Sequence, residues 1–134
     1  MLFRSMRRAD PGLRFVVLRK ALYVQNADRN FGGSELLHTP ADLLDLFRRD
    51  GIRYIVVCNY QPLDYPIQKI LHDLLENEKQ QFSLVERFPI QSNESTWKNR
   101  ELLLYENTQA APPTDKYITI RMLTLNHDIQ IDLH

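Results

Sequence analysis

Residues 38–66 read HTPADLLDLFRRDGIRYIVVCNYQPLDYP. A helix, its stop signal, an apolar strand and a polar loop follow one another there without a gap. Thr39 suits an N-cap, because its hydroxyl can accept from an orphan N–H of the first turn. Pro40 then falls at the first helical position, and Asp42 at the third approaches the capping-box pattern. Leu43, Leu46 and Phe47 mark one face at helical spacing, with Leu44 beside it. Arg48 and Arg49 occupy the last turn, where cations complement the helix dipole. Gly51 fits the left-handed position just past the end, and Ile52 can make the apolar contact that closes such a cap.

The strand comes next. Ile55, Val56 and Val57 are consecutive apolar β-formers, which predicts a strand apolar on both faces in the middle of a covered sheet. Helix, tight turn and central strand make half of a βαβ unit. In open α/β sheets ligands bind beyond the C-terminal ends of strands. The loop from Asn59 to Pro66 would lie there, and Asn59, Tyr60, Asp64 and Tyr65 are its candidate ligand residues. Two phenol hydroxyls, one carboxylate and one amide could hold a polar ligand. Asp64 and Tyr65 also precede Pro66 directly, where helix caps are found, and that placement favours capping and packing.

Pro66 opens a second helical pattern. Ile67, Ile70, Leu71, Leu74 and Leu75 follow the i, i+3, i+4, i+7, i+8 rule, with Gln68, Lys69, Asp73 and Glu76 opposite. The periodicity predicts helices over about 40–51 and 66–79. FSLVERFPI (82–90) reads as a strand stopped by Pro89. RELLLYEN (100–107) is its natural antiparallel neighbour across the polar, hairpin-like loop QSNESTWKN. Upstream, LRFVVLRKALYV (13–24) reads as one or two strands, and QNADRNFGGSE (25–35) as a surface loop. FGGS lacks the spacing of the dinucleotide fingerprint and of the P-loop. After TQAAPPT the chain alternates, with Ile129, Ile131 and Leu133 on one face, and predicts a terminal β-ribbon.

The fold class expected is α/β: a mixed sheet of about five strands with two main helices, plus a C-terminal β-ribbon. The organisation expected is a basic lead-in over 1–12, an α/β domain over 13–107, a linker over 108–115 and the ribbon over 116–134.

The chain has 134 residues, one domain's worth, with 43% apolar and 25% charged residues. Lys plus Arg number 17 and Asp plus Glu 17. A net charge of zero argues against a nucleic-acid binder that relies on bulk charge. Basic residues are concentrated at the start, where Arg4, Arg7, Arg8, Arg14, Arg19 and Lys20 face Asp10 alone. Such a segment can meet lipid headgroups or simply be a solvated terminus. Cys58 is the single cysteine, so no internal disulfide forms. Within YIVVC it reads as a small buried hydrophobe with no base nearby in sequence. No apolar run approaches the roughly 20 residues of a membrane span, and the first residues lack the apolar core of a signal peptide. The abrupt start in folded-looking sequence suggests a fragment of a longer protein.

Motifs of catalysis are missing. His38, His72, His127 and His134 show no metal-ligand spacing, and no metal or cofactor is expected. G-x-S-x-G, H-E-x-x-H and Walker patterns do not occur. Glu76 and Glu78 look solvated at a helix end. Asn93 opens an N-E-S sequon, relevant only in a eukaryotic secretory pathway. Trp97, in the same polar loop, is a candidate surface contact for a sugar, a lipid headgroup or a partner; its large apolar area also suits folding back over the sheet edge.

The order of elements resembles the C-terminal region of bacterial polytopic membrane glycosyltransferases, the protein O-mannosyltransferase and aminoarabinose-transferase-like enzymes that use polyprenyl-phosphate-linked sugars. The resemblance spans Asp10 to Asn107. It rests on Leu46, Gly51, Ile52, Arg53, Tyr54, Ile55, Val56 and Val57, then Phe82, Leu84, Val85 and Phe88, then Leu102 and Tyr105. It implies an extracytoplasmic accessory domain on the periplasmic face of the inner membrane, non-catalytic by itself. The family's sugar-transfer site lies in membrane segments that do not correspond to this sequence, so no catalytic residue carries over. The implied partner is the membrane-embedded part of the same polypeptide, with lipid headgroups near the N-terminus and no nucleic acid. The alternatives are a stand-alone ligand- or partner-binding α/β module, or a small enzyme using the 59–66 loop with Tyr60 or Asp64 as acid or base.

Overall fold

The computed structural model describes residues 23–25, 33–60, 66–122 and 127–132. Its body has two helices on one face of a three-stranded antiparallel sheet. The first helix, α1, spans Pro40–Arg49 and is built as its sequence demands. The Thr39 hydroxyl accepts from the Asp42 N–H at 3.1 Å, and the Asp42 carboxylate accepts from the Thr39 and His38 N–H groups, each at 2.9 Å. At the other end Gly51 takes φ +63. The Gly51 N–H donates to the Arg48 carbonyl and the Ile52 N–H to the Phe47 carbonyl at 2.8 Å. That pair of bonds is the Schellman closure, and Ile52 packs on the core beside it.

Strand β3 follows at Tyr54–Cys58, then α2 at Pro66–Asn77, β4 at Phe82–Pro89 and β5 at Glu101–Asn107. The strand order is β3-β5-β4, and β5 is antiparallel to both neighbours. β3 and β4 are therefore parallel, joined by α2, with β5 inserted between them. This is a split βαβ unit rather than the half unit expected.

Among the described residues every strand pairing is antiparallel rather than mixed, and the body's sheet shows three of the about five strands expected. Within it β5, not β3, is central. The physical reason lies in burial. In β3 only Ile55 is buried, whereas β5 buries Leu103, Leu104 and Tyr105 in succession. The run that marks a strand covered on both faces is LLLY, and YIVVC imitates it.

The core forms where the apolar stripes of α1 and α2 meet one face of this sheet. Leu43, Leu46 and Phe47 from α1, with Ile67, Leu71, Leu74 and Leu75 from α2, pack against Ile55, Phe82, Leu103 and Tyr105. Phe47 meets Phe82 edge to face at 5.9 Å between ring centroids. Each large side chain fully withdrawn from water contributes roughly 1.5–3 kcal/mol. Leu104 is buried on the opposite face, as the pleat requires. On β4 the register slips between Leu84 and Glu86, leaving Val85 unpaired and 51% exposed. A bulge of this kind bends the strand and spoils it as a template for pairing.

Residues 108–115, expected as a linker, lie along the body. The Thr108 N–H donates to the Gln81 carbonyl at 2.8 Å, and its hydroxyl reaches the Gln80 and Gln81 carbonyls. The N–H groups of Thr114 and Asp115 both donate to the Arg49 carbonyl, at 2.9 and 3.1 Å. A distant segment thus satisfies a carbonyl left open at the end of α1. Asn107 anchors the start of this strap. Its amide donates to the Ile52 carbonyl at 3.0 Å and its side-chain oxygen accepts from the Gln109 N–H at 3.2 Å.

Two ribbons complete the description. β1 (Tyr23–Gln25) pairs antiparallel with β2 (Gly33–Glu35), so the expected surface loop contributes a strand at its far end. A three-residue polar strand has no hydrophobic alternation to announce it. β6 (Tyr117–Met122) pairs with β7 (His127–Asp132), with Ile118 opposite Ile131 and Ile120 opposite Ile129. This is the C-terminal β-ribbon expected. The segment 13–22, the rest of the expected N-terminal strands, lies outside the described residues. Among the described residues no helix is long and apolar enough to cross a membrane.

Candidate functional site

Asn59 and Tyr60 emerge at the C-terminal end of β3, and the structure gives both a structural task. The Asn59 N–H donates to the Glu101 carbonyl at 2.9 Å, and its side-chain oxygen accepts from the Glu101 N–H at 3.1 Å. The residue thereby extends the β3–β5 ladder one step past the pairing of Cys58 with Leu102. Cys58 is half-buried rather than fully buried, with its sulfur 3.9 Å from the same Asn59 oxygen. Asp64 and Tyr65 lie outside the described residues.

Tyr60 meets the loop between β4 and β5. That loop is shaped by its own backbone. The Ser92 hydroxyl accepts from the Glu94 N–H, and the Glu94 carbonyl accepts from the Trp97 and Lys98 N–H groups, all at 3.1 Å. Asn99 takes φ +62, the left-handed conformation that Asn tolerates best after Gly. The turn closes with the Arg100 N–H on the Trp97 carbonyl and the Ile90 N–H on the Arg100 carbonyl, at 3.2 and 2.8 Å. The result swings Trp97 and Arg100 toward Tyr60.

Trp97 stands edge to face with Tyr60, 6.4 Å between centroids at 75°. The Arg100 guanidinium lies over the Tyr60 ring, 4.5 Å from its centroid. Its Nε donates to the Thr96 carbonyl at 3.3 Å. Tyr60 is half-buried between them, while Trp97 keeps 39% of its surface exposed. Trp97 therefore partly folds back and partly faces outward. Among the described residues neither Arg100 nor Lys98 has a carboxylate partner; the neighbouring Glu101 is taken by Arg87 at 3.1 Å.

Arg100 was not singled out by sequence reasoning. Its spacing from Trp97 across a turn is a weak signal, and its stacking on Tyr60 depends on the pairing of β3 with β5. The arrangement is suited to contact: a half-exposed indole beside a guanidinium held in place by a ring and a carbonyl. Among its described residues no base is set against a nucleophile.

Titratable groups perturbed by burial lie elsewhere, on the helix side of the sheet. Burial of His72 on α2 lowers its pKa below the ordinary imidazole value, opposed by Glu76 and Asp73. Burial raises the Tyr105 phenol above its usual range, and Glu76 adds to the shift. Among the described residues no three His, Cys, Asp or Glu side chains gather as a group able to hold a metal.

Comparison with known proteins finds no matching family model, no matching curated protein and no matching solved structure.

Proposed function

We propose that this chain is a non-catalytic accessory domain of a polyprenyl-phosphate-sugar-dependent membrane glycosyltransferase, on the extracytoplasmic face of the membrane. It works by contact with the membrane-embedded part of the same polypeptide. The sequence resemblance supplies the class of parent protein. The observation that carries the contact role is the use made of the loop after β3. Asn59 is committed to the Glu101 backbone, and Tyr60 is the base on which Trp97 and Arg100 are mounted. Such residues present a surface. A sheet of about five strands belongs to the same proposal.

The test is the reading frame upstream of Met1. An open frame encoding several hydrophobic spans of about 20 residues each supports the parent enzyme. A stop codon followed by a ribosome-binding site just before Met1 removes it.

A further inference from the structure

We infer that the Trp97 end of the domain is a membrane-surface contact: Trp97 seats among the headgroups of an anionic bilayer while Arg100 and Lys98 engage lipid phosphates. The inference rests on the accessory-domain reading and names a surface for it.

The chemistry of the cluster points to an interface between water and lipid. Indole and phenol rings are at home there because each has an apolar body and one polar tip. Trp97 offers its exposed surface while Tyr60, packed against it edge to face, fixes its direction. Arg100 lies on the Tyr60 ring and exposed Lys98 follows Trp97 in the chain; neither has a carboxylate partner among the described residues. Arg100 is prepared for an oxyanion. Its plane is held on Tyr60 and its Nε on the Thr96 carbonyl, and no other hydrogen bond to it forms among the described residues. The terminal nitrogens of the guanidinium are left to form a fork, the geometry that binds phosphate through two N–H groups.

The shape of the loop favours a broad surface over a small ligand. Residues 93–99 are all exposed. Asn93, Ser95, Thr96 and Asn99 are polar and uncharged, and suit the hydrated headgroup layer. One Glu against one Lys and one Arg leaves residues 91–100 at a net charge of +1. One ring and two cations give weak adhesion, and each cation strengthens partition onto an anionic surface by about fivefold. A domain tethered to a membrane protein needs no more, since the tether supplies a high local concentration.

The chain has a single tryptophan, so its emission reports on position 97 alone. The full chain is titrated with vesicles of phosphatidylcholine, or of phosphatidylcholine and phosphatidylglycerol in equal parts. The expected result is a blue shift with the anionic vesicles only, reversed by salt and quenched by brominated lipid. Arg100→Gln and Lys98→Gln should each weaken the apparent partition about fivefold with an unchanged thermal melt. Trp97→Phe, followed by co-sedimentation, should lower binding as well. Absence of any shift with anionic vesicles overturns the inference. So does an equal shift produced by glycerol 3-phosphate in solution, which would make the site a soluble-phosphate site. A shift on anionic vesicles indifferent to Arg100→Gln and Lys98→Gln would also overturn it. The parent-enzyme reading stands or falls separately. A gene that starts at Met1 together with a vesicle-induced shift keeps the surface and removes the parent, and the reverse pair of results does the opposite.

Discussion

Gly51 and Pro113 meet so closely that a methyl group on Gly51 would stand 2.8 Å from the Pro113 ring and 3.2 Å from the Ala111 carbonyl. The end of α1 and the strap over 108–115 are thus fitted to one another, and glycine is required twice at this point. Its φ of +63 excludes a comfortable side chain, and the strap leaves no space for one. Gly51→Ala should cost roughly 1–2 kcal/mol through backbone conformation alone, with the clash adding to it. Urea denaturation of Gly51→Ala, Pro113→Gly and the double variant separates the two. The double variant should lose less stability than the sum of the singles; strict additivity would show that strap and cap do not touch in solution.

Asn107 is the second place where distant segments depend on one side chain. Its amide serves the Ile52 carbonyl and the Gln109 N–H from a site only 5% exposed. Asn107→Leu should destabilise by about 1–3 kcal/mol, because the half-buried Ile52 carbonyl and the Gln109 N–H lose their partner. In Asn107→Asp an oxygen replaces the donor to Ile52. Measured against the wild type at the same pH, that variant should lose more stability at neutral pH than at acid pH, where a protonated carboxyl can donate again. A deficit relative to wild type that is equal at both pH values would contradict this account.

The parts of the fold legible in sequence are those whose signals are local. Thr39, Pro40, Asp42 and Gly51 announce both ends of α1 because capping is decided within a few residues. Ile67, Leu71, Leu74 and Leu75 announce α2 by their spacing, and Phe82 to Asn107 reads as a hairpin from its loop alone. What sequence could not supply was register. Whether YIVVC or LLLY lies in the middle of the sheet depends on which strand is inserted, and both runs are apolar. The candidate site divides in the same way. Tyr60 and Trp97 stand out as exposed-looking aromatics, but their meeting, and Arg100 upon Tyr60, follow from the β3–β5 pairing. The strap reads as a linker in sequence, because Ala111, Pro112 and Pro113 give no sign that the N–H groups after them cap a helix far upstream.

Asn59 offers a direct trial of the contact role. If its amide serves the ladder, Asn59→Ala should lower stability by about 0.5–1.5 kcal/mol, the net worth of one hydrogen bond. Under the accessory-domain proposal, sugar transfer by the proposed parent enzyme, measured at a temperature where the variant stays folded, should be nearly unchanged. A loss of transfer of tenfold or more, ~1.4 kcal/mol in activation free energy, in a fully folded Asn59→Ala enzyme would move this residue into the chemistry.

Acid should weaken the fold in two windows that different residues control. His72 is buried and its pKa is held below the ordinary 6.5, so the native state resists a proton that the unfolded chain accepts. Between the unfolded pKa and the lower native one the unfolded state binds more protons, and stability must fall as pH falls. Asp42 behaves differently. Its pKa lies below the ordinary 3.8 because the His38 N–H, the Thr39 hydroxyl and the Thr39 N–H favour the carboxylate. Its contribution is present above 3.8 and disappears as pH drops through the native value. Stability measured in urea should therefore begin to decline near pH 6.5 and decline further below pH 4. His72→Gln, uncharged at every pH, should flatten the first slope and leave the second. If the first slope persists in His72→Gln, the group responsible is another one, and burial of this imidazole does not govern the neutral-to-acid decline.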